Sequence, residues 1–213
     1  MKRMQSVFRV YSKEQLPLYM FVCVLFIMGV VFGALLVNAL TLEQKQEVSQ
    51  YLNTFLQSQG KEAASGGPVS LLESFGVHFK WVLLIYLLGL SVVGVPIILV
   101  LDFLKGVLIG FTVGYLAGQW SWKGMLLALA SVAPQNLIVV PAIMICSVAA
   151  ISFSFLLVRS RLLNRSNSAG RPFAAFSGVC LALCGLLFIV ALFESYVSPS
   201  LLAWVTPLVL EGV

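Results

Sequence analysis

The sequence predicts an all-α integral membrane protein, a single-domain bundle of about five transmembrane helices over residues 1–213. Hydrophobic residues make up 60% of the chain and charged residues only 10%. Soluble domains are roughly 45–50% apolar and about 25% charged. The apolar residues also form uncharged blocks, and about 20 helical residues are enough to cross the ~30 Å bilayer core. These blocks are 15–42, 81–101, 106–122, 124–158 and 172–193, and they leave little room for a soluble catalytic domain.

The first span is predicted at residues 18–40, after a short basic segment, 1–17, that we expect to lie in the cytoplasm. A basic segment followed by an apolar run also resembles a signal peptide. However, the apolar core of a signal peptide is at most about 15 residues long. The uncharged run from Leu16 to Leu42 is longer than that, which favours a retained membrane helix.

The second and third spans are predicted at 81–101 and 106–120, with Asp102 and Lys105 between them at the cytoplasmic boundary. Residues three apart on a helix share a face, so these two charges could pair with each other. In this assignment no ionisable residue lies at the centre of a span, which argues against an ion pump.

The fourth uncharged run, 124–158, is too long for one crossing, because a straight helix of that length would rise about 52 Å. Proline lacks a backbone N–H and disfavours helix in the residue before it. We therefore expect one crossing plus a broken, re-entrant arm at Met125–Val132. The residues assigned to the helix break are Pro134, Gln135, Asn136 and Pro141.

Charge placement supports this odd number of crossings. With one crossing in the fourth run, the cytoplasmic segments 1–15, 102–105 and 159–171 contain most of the basic residues. A second crossing would move four arginines to the outside. The prediction is completed by a cytoplasmic loop at 159–172, a fifth span at 173–193 and an outer interfacial tail at 194–213.

The segment 41–80 is then the main outer region, and its pattern predicts amphipathic helices. Thr41-x-x-Gln44 and Ser70-x-x-Glu73 both have capping-box spacing, in which side chains satisfy the first N–H groups of a helix. An apolar stripe at helical spacing follows the first box, and it could pack on the membrane, on the second helix or on a partner. We take it as a candidate partner surface, made of Val48, Tyr51, Leu52 and Phe55.

Glycines spaced four residues apart predict close helix packing. Such small residues lie on nearly one face and let two helix backbones approach each other in lipid. The expected contact is within the chain, and a homodimer face is the alternative. The candidate packing residues are Gly29 and Gly33 in the first span and Gly106, Gly110, Gly114 and Gly118 in the third.

Nothing in the sequence indicates a catalytic, cofactor or metal site, and we expect no enzyme activity. His78, the single histidine, has no metal-ligand spacing around it and is expected at the surface or the interface. The four cysteines lie in apolar runs, where thiols usually behave as small hydrophobic residues. The net charge of +5 comes from short segments between spans, a pattern that fits membrane orientation and not nucleic-acid binding.

Several stretches together resemble the stage II sporulation protein M family. They are Tyr19-x-Phe21-Val22 continuing to Gly33-Ala34, Lys105-Gly106 through Gly114, Pro134-Gln135-Asn136-Leu137 and Phe193-Glu194. The resemblance covers most of the chain and implies five similar spans. The wider family often has Pro-His-Gly-x-x-Glu at the broken helix. This chain lacks the histidine and the glutamate there, so a role for those residues does not transfer.

The resemblance implies a scaffold of the engulfment machinery in the mother-cell and septal membrane. Its implied partners are the stage II sporulation proteins D and P, two peptidoglycan hydrolases that such a scaffold localises at the septum. An alternative hypothesis is a transporter or permease-like subunit, since broken helices often line substrate sites in transporters. Gln135 and Asn136 would then supply polar groups at the break near Pro134–Pro141.

Overall fold

The computed structural model describes residues 2–51, 54, 71–91, 93–131, 133–162 and 170–210. In these residues the chain is helical with no strands, which confirms the predicted fold class. A short helical segment occupies residues 42–51. The five long helices are α1 (Lys2–Ala39), α2 (Leu71–Gly89), α3 (Gly94–Ser131), α4 (Ala133–Leu162) and α5 (Gly170–Leu210).

Four helices contain a stretch long and apolar enough to cross a membrane. The stretches are Gln15–Ala39 in α1, Gly94–Gln119 in α3, Asn136–Val158 in α4 and Pro172–Tyr196 in α5. α2 contributes a shorter apolar stretch, Phe75–Gly89. The whole of α2 would rise about 28 Å, close to the thickness of the hydrocarbon core.

α1 and α3 run parallel and in direct backbone contact. Gly29 lies against the backbone of Phe103, and Gly33 lies against Val107 and Phe111. The residue numbers increase together along both helices, so the two helices run in the same direction. Parallel neighbours in a bundle require the intervening chain to return across it, and α2 does so.

The remaining helices alternate in direction. α2 is antiparallel to α5, α3 to α4, and α4 to α5, because contacting residues have opposing number order. For α2 and α5 the contacts are His78–Glu194 and Tyr86–Ser177. For α3 and α4 they are Asp102–Ser147 and, in the turn just before α3, Ser91–Ser154. For α4 and α5 they are Cys146–Cys180 and Phe153–Phe173.

The chain therefore traverses the bundle five times. We call the end that contains Gln15 and the turn at 90–93 the first end, and the end that contains Ala39 and segment 42–51 the second end.

The predicted boundary between the second and third spans is wrong. The chain turns at 90–93 and not at 102–105, so 81–101 is not one helix and Asp102 and Lys105 lie inside α3. The N–H of Ser91 donates to the Leu88 carbonyl and the N–H of Gly94 to the Ser91 carbonyl. A Cβ at Gly94 would clash with the Leu88 carbonyl oxygen. Pro96 then lies in the first turn of α3, where its missing N–H has no intrahelical partner to lose.

The fourth run is divided as predicted, but the division lies between Ser131 and Ala133. The assignment of the break to Asn136 and Pro141 is wrong, because α4 is continuous from Ala133 to Leu162. Pro134 lies in the first turn of this helix, a position that tolerates proline. Pro141 lies within the helix, as proline can in membrane helices when neighbouring groups satisfy the backbone. Met125–Ser131, predicted as a separate arm, are the last turns of α3.

α3 is not straight. Residues 102–131 would rise about 43 Å as a straight helix, whereas residues 133–147 of α4 rise only about 21 Å. Asp102 and Ser147 are in contact, so these two residues lie at the same level of the bundle. Only one residue separates the end of α3 from the start of α4, so those two ends must also lie close together. The last turns of α3 must therefore fold back toward the start of α4.

The predicted outer tail continues the fifth span. α5 runs without interruption through Pro199 to Leu210, so residues 194–210 belong to the same helix as that span.

We predict that Gly110→Leu destabilises the bundle and that Gly118→Leu does not. A Cβ at Gly110 would lie 2.0 Å from the Val30 carbonyl oxygen, whereas a Cβ at Gly118 meets nothing within 4 Å. Overpacking of this kind costs at least about 1–3 kcal/mol. Thermal unfolding of the two variants in detergent should show a lower Tm for Gly110→Leu alone. Equal Tm values would contradict the α1–α3 contact.

Candidate functional site

The segment after α1 at the second end begins with the predicted capping box. The backbone N–H of Gln44 donates to Thr41 Oγ1 at 3.3 Å, and the N–H of Thr41 donates to Gln44 Oε1 at 3.0 Å. These reciprocal bonds satisfy two donors at the start of a helix. The first capping box is confirmed. The second begins at Ser70, which lies outside the described residues, and α2 starts at the next position.

A buried tyrosine holds this segment on the bundle. The Tyr115 hydroxyl of α3 donates to the Lys45 carbonyl at 2.6 Å, and Gln119 Nε2 donates to the same hydroxyl at 3.0 Å. Tyr115 is only 2% exposed, so its ring is packed inside the second end. Segment 42–51 therefore has a fixed attachment to the bundle.

The described part of the candidate partner surface is partly open. Tyr51 is 78% exposed, and Val48 is half-buried on the same segment. Leu42, at the start of the segment, is 80% exposed. Leu52 and Phe55, the other two predicted members, lie outside the described residues.

The glycines of α1 and α3 meet each other. A Cβ at Gly106 would lie 2.4 Å from the Phe26 carbonyl oxygen, and a Cβ at Gly114 would touch Ala34. Gly29, Gly33 and Gly110 have equally close backbone neighbours in the same interface. Gly118 has no neighbour within 4 Å of a Cβ among the described residues, so its inclusion in the packing face is wrong.

The residues assigned to a helix break do not form a polar gap. Asn136 is half-buried and Pro141 is exposed, both on the continuous helix α4. The side chains of Pro134 and Gln135 lie outside the described part. The observation that motivated the transporter hypothesis is therefore missing at this place.

The structure instead places a buried carboxyl near the middle of the bundle, which the sequence assignment missed. Asp102 is 2% exposed, and the hydroxyl of fully buried Ser147 donates to its Oδ1 at 2.8 Å. The expectation that no ionisable residue lies at a span centre is wrong. It failed because Asp102 was taken as the end of a span. The Gly94-x-Pro96 signal, which begins α3, would have placed it correctly.

Asp102 and Lys105 do not pair. The Nζ of Lys105 lies over the Trp81 ring of α2, 5.3 Å from the ring centre. Cation–π attraction of this kind is stronger when the groups are removed from water. Lys105 therefore joins α3 to α2, while Asp102 joins α3 to α4.

His78 is buried and paired, which corrects the expectation of a surface histidine. It is 7% exposed, and its Nε2 lies 3.1 Å from Glu194 Oε2 on α5. The antiparallel packing of α2 on α5 brings these two distant positions together. This is the one contact within ion-pair distance between a basic and an acidic side chain in the described part of the chain.

The thiols also pair across helices. Cys146 of α4 and Cys180 of α5 have their sulfur atoms 3.7 Å apart in the core. The described residues contain no group of three or more His, Cys, Asp or Glu side chains that could hold a metal ion.

The family model described as stage II sporulation protein M matches residues 22–199, most of the chain. The chain belongs to this family. The matched range runs from the first span into α5 and includes both the second-end attachment and the buried carboxyl. The stage II sporulation protein M family is not a known enzyme family, and membership indicates a sporulation membrane protein. Searches of curated proteins and of solved structures found no match.

We predict that Tyr115→Phe loosens segment 42–51 without unfolding the bundle. The variant removes the hydrogen bond to the Lys45 carbonyl, and such a bond contributes about 1 kcal/mol. Hydrogen–deuterium exchange should become faster in the amides of 42–51. Tyr86→Phe, which removes the hydroxyl contact to Ser177 within the bundle, should leave that exchange unchanged. Equal exchange in Tyr115→Phe and the wild type would show that this bond does not hold the segment.

Proposed function

We propose that this chain is a non-enzymatic membrane scaffold of the sporulation engulfment machinery. It localises peptidoglycan hydrolases, the stage II sporulation proteins D and P, at the septal membrane of the mother cell. Family membership supports the sporulation context. The observation that carries the docking site is the anchored segment 42–51, which presents Leu42 and Tyr51 at the second end.

The second end faces the cell wall in this proposal. Among the described residues, seven basic residues lie at the first end, in 2–14, 159–162 and 170–171, whereas four of the six acidic residues lie toward the second end. The positive-inside rule then places the N-terminus in the cytoplasm. Lys105 was assigned to a cytoplasmic loop but lies within α3. The orientation does not depend on it, because the other basic residues at the first end are sufficient.

An anchored segment suits a docking role because less freedom is lost when a partner binds a surface that is already ordered. The capping box orders the start of the segment, and Tyr115 fixes its middle. Exposed tyrosine is among the residues that most often carry binding energy in protein interfaces. Tyr51 is therefore the first position to test.

We predict that Tyr51→Glu releases the hydrolases from the scaffold. A carboxylate at this position would be desolvated by an apolar partner surface, which typically costs at least 2 kcal/mol at a central contact, or about thirtyfold in affinity. The measurement is co-purification of proteins D and P from sporulating cells, with septal localisation of both hydrolases followed in parallel.

Gln50→Glu is the matched control. It adds the same negative charge at the residue immediately before Tyr51, which lies on a different face of the helix. It should retain both hydrolases, and both variants should reach the membrane in wild-type amounts. If Tyr51→Glu retains both hydrolases at the wild-type level, the docking site lies elsewhere.

A further inference from the structure

Two buried side-chain atoms lack a hydrogen-bond partner among the described residues: Asp102 Oδ2 and His78 Nδ1. Neither belongs to the proposed docking surface. Buried polar groups are nearly always satisfied in folded proteins, so each exception requires an explanation.

Asp102 lies in the hydrocarbon region. It is about 12 Å along α3 from Gly94, at the level of Ser147, which is at the midpoint of the Asn136–Val158 stretch. Removal of a carboxylate without a cationic partner from water disfavours its charged form relative to the neutral acid. Ser147 supplies one hydrogen bond, and no cation lies within ion-pair distance of the carboxyl in the described residues.

We propose that Asp102 is an intramembrane proton-binding site, with Ser147 as the residue that positions the carboxyl. One carboxyl and one hydroxyl are sufficient to bind a proton. Metal cations such as Ca²⁺ take six or more oxygen ligands. The proton resides on Oδ2, the unpartnered oxygen, because Oδ1 accepts the hydrogen bond from Ser147.

The surrounding charges are few. Titratable groups close to the site include Lys105 on α3, Cys146 on α4 and Cys180 on α5. His78 of α2 lies further toward the second end, one helical turn from Trp81. Lys105 is directed to the Trp81 ring, and the two thiols contact each other. α1 covers this part of α3 with the backbone of Phe26 and Gly29.

Three polar side chains, Lys105, His78 and Glu194, lie on the second-end side of Asp102. Glu194 has a 22% exposed side chain and contacts His78. It also interacts electrostatically with Lys105, which lies one helical turn from Asp102. This placement predicts that the proton exchanges with solvent through the second end, past Glu194.

Infrared spectroscopy of the full-length protein in liposomes tests whether Asp102 carries a proton. A protonated carboxylic acid has a C=O stretching band separate from the bands of carboxylates. At neutral pH the wild type should show this band and Asp102→Asn should lack it, whereas Glu194→Gln should retain it. Asn keeps an acceptor for Ser147, so this variant should fold.

Ser147→Ala provides a second, independent measurement. Loss of its hydrogen bond to the carbonyl oxygen should shift the band to higher frequency without abolishing it. A wild-type spectrum identical to that of Asp102→Asn in this region would show an ionised Asp102 and overturn the proposal. An unshifted band in Ser147→Ala would exclude Ser147 as the positioning residue.

The route of proton exchange is tested separately by transferring the protein into D₂O. The C=O band of Asp102 shifts as deuterium replaces the carboxyl proton. Glu194→Gln should slow this shift several-fold. An unchanged rate would show that exchange does not pass through the second end.

Discussion

The direct backbone contact between α1 and α3 determines the arrangement of the rest of the chain. Gly29, Gly33, Gly106 and Gly110 allow the two helices to approach so closely that any side chain would clash with an opposing carbonyl. Packing of this kind drives helix association in lipid, where burial of apolar surface gives no advantage. Because the two helices are parallel, the chain between them has to return across the bundle. This return is α2, and it leaves segment 42–51 beside Tyr115 at the second end.

The return through α2 also explains why charged residues lie inside the bundle. α3 must begin at the first end, so its first turns, with Asp102 and Lys105, enter the hydrocarbon region. Each charge is accommodated by a different neighbour: a serine of α4 for the carboxyl and an aromatic ring of α2 for the ammonium group. The bundle therefore has a polar interior around Asp102 and Lys105, and it carries the exposed segment 42–51 at the second end.

Sequence patterns predicted those features that depend on local chemistry. The helical membrane class, the capping box at Thr41 and the glycine stripe all follow from composition or spacing, and the family resemblance agrees with the family match. The limits of the spans were not predictable by charge alone, because Asp102 marks no boundary. The pairing of His78 with Glu194 and of Cys146 with Cys180 depends on helix packing between distant positions, which a single sequence does not contain.

The five-crossing arrangement is tested most directly by labelling single cysteines from one side of the membrane. Gln46→Cys and Ser91→Cys, both at exposed positions, would be made in a variant whose four native cysteines are replaced by alanine. A membrane-impermeant maleimide should label Gln46→Cys in intact cells and Ser91→Cys only after permeabilisation. Labelling of both positions in intact cells, or of neither, would contradict the crossing by α2 and the placement of segment 42–51 outside the membrane.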